Sequence, residues 1–145
     1  MTSTIIIPEP IANAIDELQN GWNALNFDHI LNLWDHGYKH LIYIPEERPT
    51  LRGIDEIAAY FNTVAAMMVN MTINLTVIDC DLFNDSAWAV CRGEWTGQNK
   101  YREVPSGGEA RVSFMLHKVG DDWKLIQYIE AVLNHQYAPP ENIPE

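Results

Sequence analysis

The front half of the chain repeats apolar residues at spacings of three and four, which is typical of helices with one buried face. One such stripe runs over residues 11–25, and Pro10 suits the first turn of that helix. A shorter helix is predicted over residues 28–34, and Gly37 marks its end. A third is predicted over residues 54–68, because acidic residues near its start match the helix dipole.

The back half consists of β-branched and aromatic runs separated by turn signals, which predicts strands. After a short strand at 40–45, four longer strands are expected at residues 72–83, 87–96, 109–119 and 123–132. Residues 97–108 carry Gly, Pro, Ser and Asn and are predicted as a loop. Helices followed by an antiparallel meander indicate an α+β fold. Because long strands coil, we expect a conical half-barrel, a strongly curved, mostly antiparallel sheet in which three N-terminal-side helices enclose a pocket.

The strand at 87–96 indicates which face of the sheet is concave. One parity holds small residues and then one ring: Ala87, Ala89, Cys91, Gly93 and Trp95. Small side chains let a helix approach closely, so this parity is expected to face the helices. Trp88 and Val90 then point outward as an apolar patch, and such patches mark interfaces. We therefore predict a homodimer through the convex face of the sheet.

Length limits the number of domains, and charge limits the classes of partner. The chain has 145 residues, enough for one domain, and a formal net charge of −11. An acidic protein repels phosphate groups, so neither nucleic acid nor a membrane surface is an expected partner. The first ten residues lack the basic start and long apolar run of a leader or a membrane span, which predicts a cytoplasmic location.

Six short runs of the sequence carry a family resemblance. They are WNALNFD at 22–28, LWD at 33–35, YIPE at 43–46, GIDEI at 53–57, EARVS at 109–113 and GDDWKLI at 120–126. Together they resemble the SnoaL-like branch of the nuclear transport factor 2-like superfamily, which also contains ketosteroid isomerases. The resemblance implies a domain over residues 10–133, with an N-terminal extension at 1–9 and a proline-rich tail at 134–145. It also implies a dimeric conical fold, whose members isomerise, cyclise or dehydrate small molecules, or only bind and assemble.

The chain departs from the isomerase pattern at several positions. Ketosteroid isomerases place an acidic base just before the proline of the first strand, where this chain has Ile44. Their helix-one tyrosine aligns near Gly21, and the histidine pattern of many SnoaL-like last strands is replaced by Gln127 and Ile129. The isomerase apparatus is therefore not carried over to this sequence.

Arg111 and His117 are the candidate catalytic pair. They share parity with Ser113 in the strand at 109–119. If that parity faces the cavity, Arg111 could hold a carboxylate or enolate and His117 could shuttle a proton. The alternative is a surface ion pair for Arg111 and a rim position for His117. Glu94 and Glu130 would be possible bases if buried, but the parity assignment turns both away from the pocket.

The expected pocket walls are aromatic, although most of these side chains could equally be core. The predicted ligand-binding residues are Trp34, Tyr43, Tyr60, Trp95, Ser113 and Gln127. The sequence contains no recognisable metal or nucleotide motif, so neither a metal nor another cofactor is expected. Aromatic walls favour a flat apolar ligand, and the leading hypothesis is a cofactor-independent isomerase, cyclase or dehydratase using acid–base chemistry. The alternative is a non-catalytic ligand-binding or dimeric assembly domain.

Overall fold

The computed structural model describes residues 5–135, so residues 1–4 of the predicted extension and most of the proline-rich tail lie outside it. The helices are α1 (Glu9–Asn23), α2 (Phe27–Asn32) and α3 (Gly53–Met67). The strands are β1 (Ile42–Ile44), β2 (Leu51–Arg52), β3 (Met68–Phe83), β4 (Ser86–Asn99), β5 (Ser106–Val119) and β6 (Asp122–His135). The predicted α+β fold, with three helices before an antiparallel meander, is confirmed. Within residues 5–135, none of the helices is long and apolar enough to span a bilayer.

Helices α1 and α2 pack tightly because the chain has a glycine at their contact. A Cβ added at Gly21 would lie 2.5 Å from the Ile30 side chain, so a larger residue would force the two helices apart. Asn26 caps the N-terminus of α2, because its side chain accepts a hydrogen bond from the His29 backbone N–H at 3.1 Å. The apolar stripe of α1 is buried as predicted, including Trp22.

The six strands form one sheet in the order β2-β1-β6-β5-β4-β3. Strand β1 runs parallel to β6, and every other neighbouring pair is antiparallel. The β4–β5 pairing continues to Gly97 opposite Ser106, so half of the predicted loop at 97–108 is strand and only residues 100–105 connect the two strands. That part of the prediction is wrong because hairpin pairing outweighs the weak strand preference of glycine and serine.

Extra residues at four points bend the sheet. Register shifts occur at Val69 and Ile78 in β3 and at Ile126 and Leu133 in β6, where each strand holds one residue more than its partner. Such bulges increase the local twist and produce curvature. The concave face carries the core with the helices: Ala87, Ala89 and Cys91 have no exposed surface, as predicted from their size.

Candidate functional site

A cavity of about 460 Å³ lies between the concave face of the sheet and the C-terminal part of α3. Volumes of this order are typical of small-molecule sites. Much of its wall is apolar and includes Trp22, Val64, Met67, Met71, Trp95 and Val112. The cavity exists because Gly93 and Ala110, which face each other across β4 and β5, leave that part of the concave face nearly bare.

One wall of the cavity carries the carboxyl group of Glu130, in β6. Its Oε2 accepts a hydrogen bond from the Tyr43 hydroxyl at 3.4 Å, and its Oε1 accepts one from the Glu46 backbone N–H at 3.3 Å. Loss of surrounding water raises the pKa of Glu130 to about 8, and the nearby carboxylates of Glu46 and Glu47 add to the shift. Near neutral pH this group is therefore mostly protonated, and it can both donate and accept a proton.

Two tyrosines support that wall and stay neutral. The Tyr60 hydroxyl donates a hydrogen bond to Oε1 of Glu47 at 2.6 Å, and its ring lies 5.4 Å from that of Tyr43. Burial is the largest cause that raises the pKa of both hydroxyls far above the ordinary value of tyrosine. Neither phenol ionises near neutral pH, so both act there as hydroxyls.

A third tyrosine in this region has an unsatisfied hydroxyl. Tyr128 is 1% exposed, and its hydroxyl has no hydrogen-bond partner among the residues that the structure describes. Its ring centroid lies 5.2 Å from that of Tyr43. Buried hydroxyls normally have a hydrogen-bond partner, so Tyr128 is an exception within the described residues.

The other end of the cavity is formed by the turn between β4 and β5. The Lys100 backbone N–H donates to the Met67 carbonyl at 2.9 Å, and Gln98 Nε2 donates to the Arg102 carbonyl at 2.6 Å. These bonds tie the turn to α3 and place Arg102 on the cavity wall. Val112, which lies opposite Glu130, is six positions further along β5 than Ser106 at this end, which is about 20 Å of extended strand.

The structure places Arg111 and Ser113 on the convex face, so their expected position in the cavity is wrong. Arg111 is exposed and lies opposite Arg92, while Ser113 lies opposite Val90. The alternate residues of β5 are the ones that face the helices, and Val112 among them is buried.

His117 also lies outside the cavity. Its Nε2 is 2.6 Å from Oδ2 of Asp35, and its ring centroid is 5.2 Å from that of Tyr38. The hydrogen bond with His117 is the largest cause lowering the pKa of Asp35, and the Gly37 backbone N–H contributes by donating to Oδ1 at 2.9 Å. His117 therefore joins the loop after α2 to the end of β5.

The predicted ligand-binding residues divide into three groups. Tyr60 and Trp95 line the cavity. Trp34 and Tyr43 are buried in the core, with their rings stacked at 6.1 Å, although Tyr43 reaches the cavity indirectly through Glu130. Gln127 lies on the convex face opposite Met115, which corrects the expectation that it anchors a ligand inside the cavity.

The sequence reasoning missed Glu130 because of the bulge at Ile126. Strict alternation from Leu125 would put Gln127 inside and Glu130 outside, but the extra residue reverses the two faces. Glu94 is exposed, as expected. A single acidic residue within an otherwise apolar last strand was the available signal. Among the described residues, no cluster of three or more His, Cys, Asp or Glu side chains could hold a metal ion.

Comparison with known protein families gives a match that covers most of the chain. Residues 11–133 match the model of the SnoaL-like domain family. A search of the curated proteins found no match.

Solved structures share the fold at low sequence identity. A candidate dehydratase of the nuclear transport factor 2-like family from Streptomyces avermitilis is 16% identical, with a TM-score of 0.75 over 86% of this chain and 95% of that one. A candidate scytalone dehydratase from Novosphingobium aromaticivorans is 10% identical, with a TM-score of 0.77 over 94% and 93% of the two chains. A ketosteroid isomerase-like protein from Erwinia carotovora atroseptica is 19% identical, with a TM-score of 0.71 over 86% and 94%. These similarities establish the fold alone.

Proposed function

Because the chain belongs to the SnoaL-like family, we propose that its cavity binds a small apolar or aromatic molecule and that Glu130 transfers a proton within it. The observation that carries this proposal is a carboxyl group whose pKa is raised to about 8 on the wall of a largely apolar cavity. A group poised near the working pH serves as both acid and base. The proposed reaction is a cofactor-independent isomerisation, cyclisation or dehydration.

A dehydration illustrates what one carboxyl group can do. In its ionised form Glu130 removes the α-proton of a β-hydroxy ketone, and the C–H electron pair becomes the new C=C bond. The C–O bond breaks with its electron pair on oxygen, and the proton held by Glu130 completes the departing water. An isomerisation uses the same proton, which returns to a different carbon. The names of two structural neighbours, both candidate dehydratases, lend support to this reaction class.

The test is the dehydration of 4-hydroxy-4-phenylbutan-2-one, followed by the absorbance of the conjugated ketone that forms. We expect Glu130→Gln to lower kcat/KM by about 100-fold, the usual effect of removing a general acid or base. Glu94→Gln is the matched control, because Glu94 is exposed on the convex face. Equal rates in the two variants would refute the role of Glu130. Absence of any acceleration, here and in α-proton exchange of 2-tetralone, would refute catalysis of this class.

A second candidate function is assembly through the convex face. Trp88, Val90, Met115 and Ile129 lie on this face in neighbouring strands and are only half-buried. A continuous apolar patch of this kind fits a second copy of the chain in a homodimer. We expect Trp88→Glu to shift the protein to monomer in sedimentation equilibrium.

The control for assembly replaces another exposed aromatic residue. Tyr101 lies in the β4–β5 turn and is 73% exposed, so Tyr101→Glu should leave the mass in solution unchanged. A wild-type protein that sediments as a monomer at every concentration would rule out this interface.

A further inference from the structure

The end of the cavity around Glu130 presents hydrogen-bond acceptors. Glu46, Glu47 and Glu130 line it. Tyr60 lines it too, but its hydroxyl hydrogen is given to Glu47 at 2.6 Å, which leaves oxygen lone pairs for a ligand. A ligand that enters this end therefore meets groups that favour donors and positive charge.

The neighbouring hydroxyls show the same imbalance. The hydrogen of Tyr43 is directed to Glu130 at 3.4 Å. Tyr128 lies two residues before Glu130 in β6, on the same face, and its buried hydroxyl has no hydrogen-bond partner within residues 5–135. The Tyr128 side chain does not line the cavity, but the charge of Glu130 contributes to raising the pKa of this hydroxyl.

From these contacts, and on the premise that the proposed cavity holds a small apolar molecule, we propose that its ligand carries an ammonium nitrogen that lies between Glu47 and Glu130. An ammonium group has three donors and no acceptor, which matches this set of groups. The Tyr60 ring lines the same end of the cavity, and aromatic faces attract cations.

The charges around Glu130 favour a cation over an anion. The groups that act on it or lie beside it come from five parts of the chain: Tyr43 of β1, Glu46 and Glu47 after β1, Tyr60 of α3, and Tyr128 of β6 with Cys91 of β4 behind it. Arg48 acts on Tyr60 from the loop after β1. Neither Glu47 nor Glu130 forms an ion pair with any residue in the described part of the chain.

This arrangement couples ligand charge to the form of the catalytic group. A cation beside Glu130 favours its ionised form, so binding expels the proton and turns the acid into a base at neutral pH. Arg102 lies at the opposite end of the cavity, where a neutral or acidic part of the ligand would be directed. A carboxylate near Glu130 would lie close to the carboxylates of Glu46 and Glu47, whose like charge repels it.

The experiment compares three probes of one shape: 2-naphthylmethylamine, 2-naphthylmethanol and 2-naphthoate, by calorimetry. We expect the amine to bind at least about tenfold more tightly than the alcohol, with the carboxylate weakest. Glu130→Gln and Glu47→Gln should each remove most of that preference, while Glu94→Gln on the convex face should keep it. Titrations in phosphate and HEPES should show proton release on amine binding in the wild type and none in Glu130→Gln.

The inference is overturned if the carboxylate binds as tightly as the amine, if the three probes bind equally, or if the amine fails to bind. These outcomes are separable from the test of the proposed function, because one experiment measures binding and the other turnover. Amine selectivity without turnover of any ketone would remove the catalytic proposal alone. Dehydration by Glu130 without an amine preference would remove this inference alone.

Discussion

Two carboxyl groups of this fold, Glu130 and Asp35, have pKa values shifted in opposite directions. Glu130 lies on the cavity wall among other acids, and lost hydration raises its pKa to about 8. Asp35 lies at the end of the sheet on the other side, and its hydrogen bond with His117 lowers its pKa. Both contacts cross more than 80 positions of the sequence. Burial therefore favours the protonated form of Glu130, whereas the hydrogen bond with His117 favours the ionised form of Asp35. Carboxyl groups whose pKa is raised by burial in a cavity are common at functional sites.

The largest expected effect is on the stability of Glu130→Gln as the pH rises. The folded protein holds the proton of Glu130 up to about pH 8, whereas the unfolded chain releases it near 4.5. The native state binds more protons across that window, so the free energy of unfolding of the wild type falls between those values. The Gln variant escapes this loss and should be more stable by roughly 3 kcal/mol at about pH 9, after allowance for water in the open cavity.

Urea titrations at several pH values would measure this gain. Glu94→Gln, on the exposed face, is the control and should show no such dependence on pH. A Gln variant that follows the wild type at every pH would mean that the cavity hydrates Glu130 fully, and the contrast with Asp35 would fail.

The bulge at Ile126 in β6 explains what the sequence could and could not predict. Periodicity was sufficient for the three helices, and the small residues of β4 correctly identified the concave face, because size and spacing are local properties. The extra residue at Ile126 is visible only in the pairing of β6 with β5, and it moves Glu130 inward and Gln127 outward. The alternation of side chains along the sequence does not reveal such a shift in register.

Contacts between residues far apart in the sequence could not be predicted either. Glu46 and Glu47 follow β1, and they meet Glu130 only because β1 pairs in parallel with β6. His117 had a recognisable chemistry in the sequence, but its partner Asp35 is 82 positions away. Residue type alone therefore suggested catalysis for His117, where the structure shows a contact between loop and strand.

A middle-sized effect is expected from Asp35→Asn. A lowered pKa means that Asp35 stabilises the fold above the ordinary carboxyl pKa of 3.8 and that this contribution is lost as the pH falls through the folded value. We expect the variant to lose about 1–2 kcal/mol near neutral pH, the value of a partly buried hydrogen bond to a charged group. The difference from wild type should shrink in acid, as measured by urea unfolding.

Asp121→Asn, in the β5–β6 turn, provides the control for Asp35 and should change stability little at any pH. His117→Ala should resemble Asp35→Asn, because both remove the same 2.6 Å contact. A loss that persists undiminished in acid would show that packing around Asp35, and not its charge, stabilises this end of the sheet.

The smallest effect is expected at Arg92 on the convex face, which separates pairing from burial. Its Nη2 lies 2.7 Å from Oε1 of Glu109, nearly as close as the contact between Asp35 and His117, but the Arg92 side chain is 49% exposed. Water and salt screen such pairs, so Arg92→Ala should move the thermal midpoint by less than about 2 °C, and added salt should reduce that difference from the wild type. A loss as large as that of Asp35→Asn would show that a short contact suffices without burial. The opposite pKa shifts of Glu130 and Asp35 would then reflect only the partners of the two carboxyl groups, and burial in the cavity would not be needed to explain them.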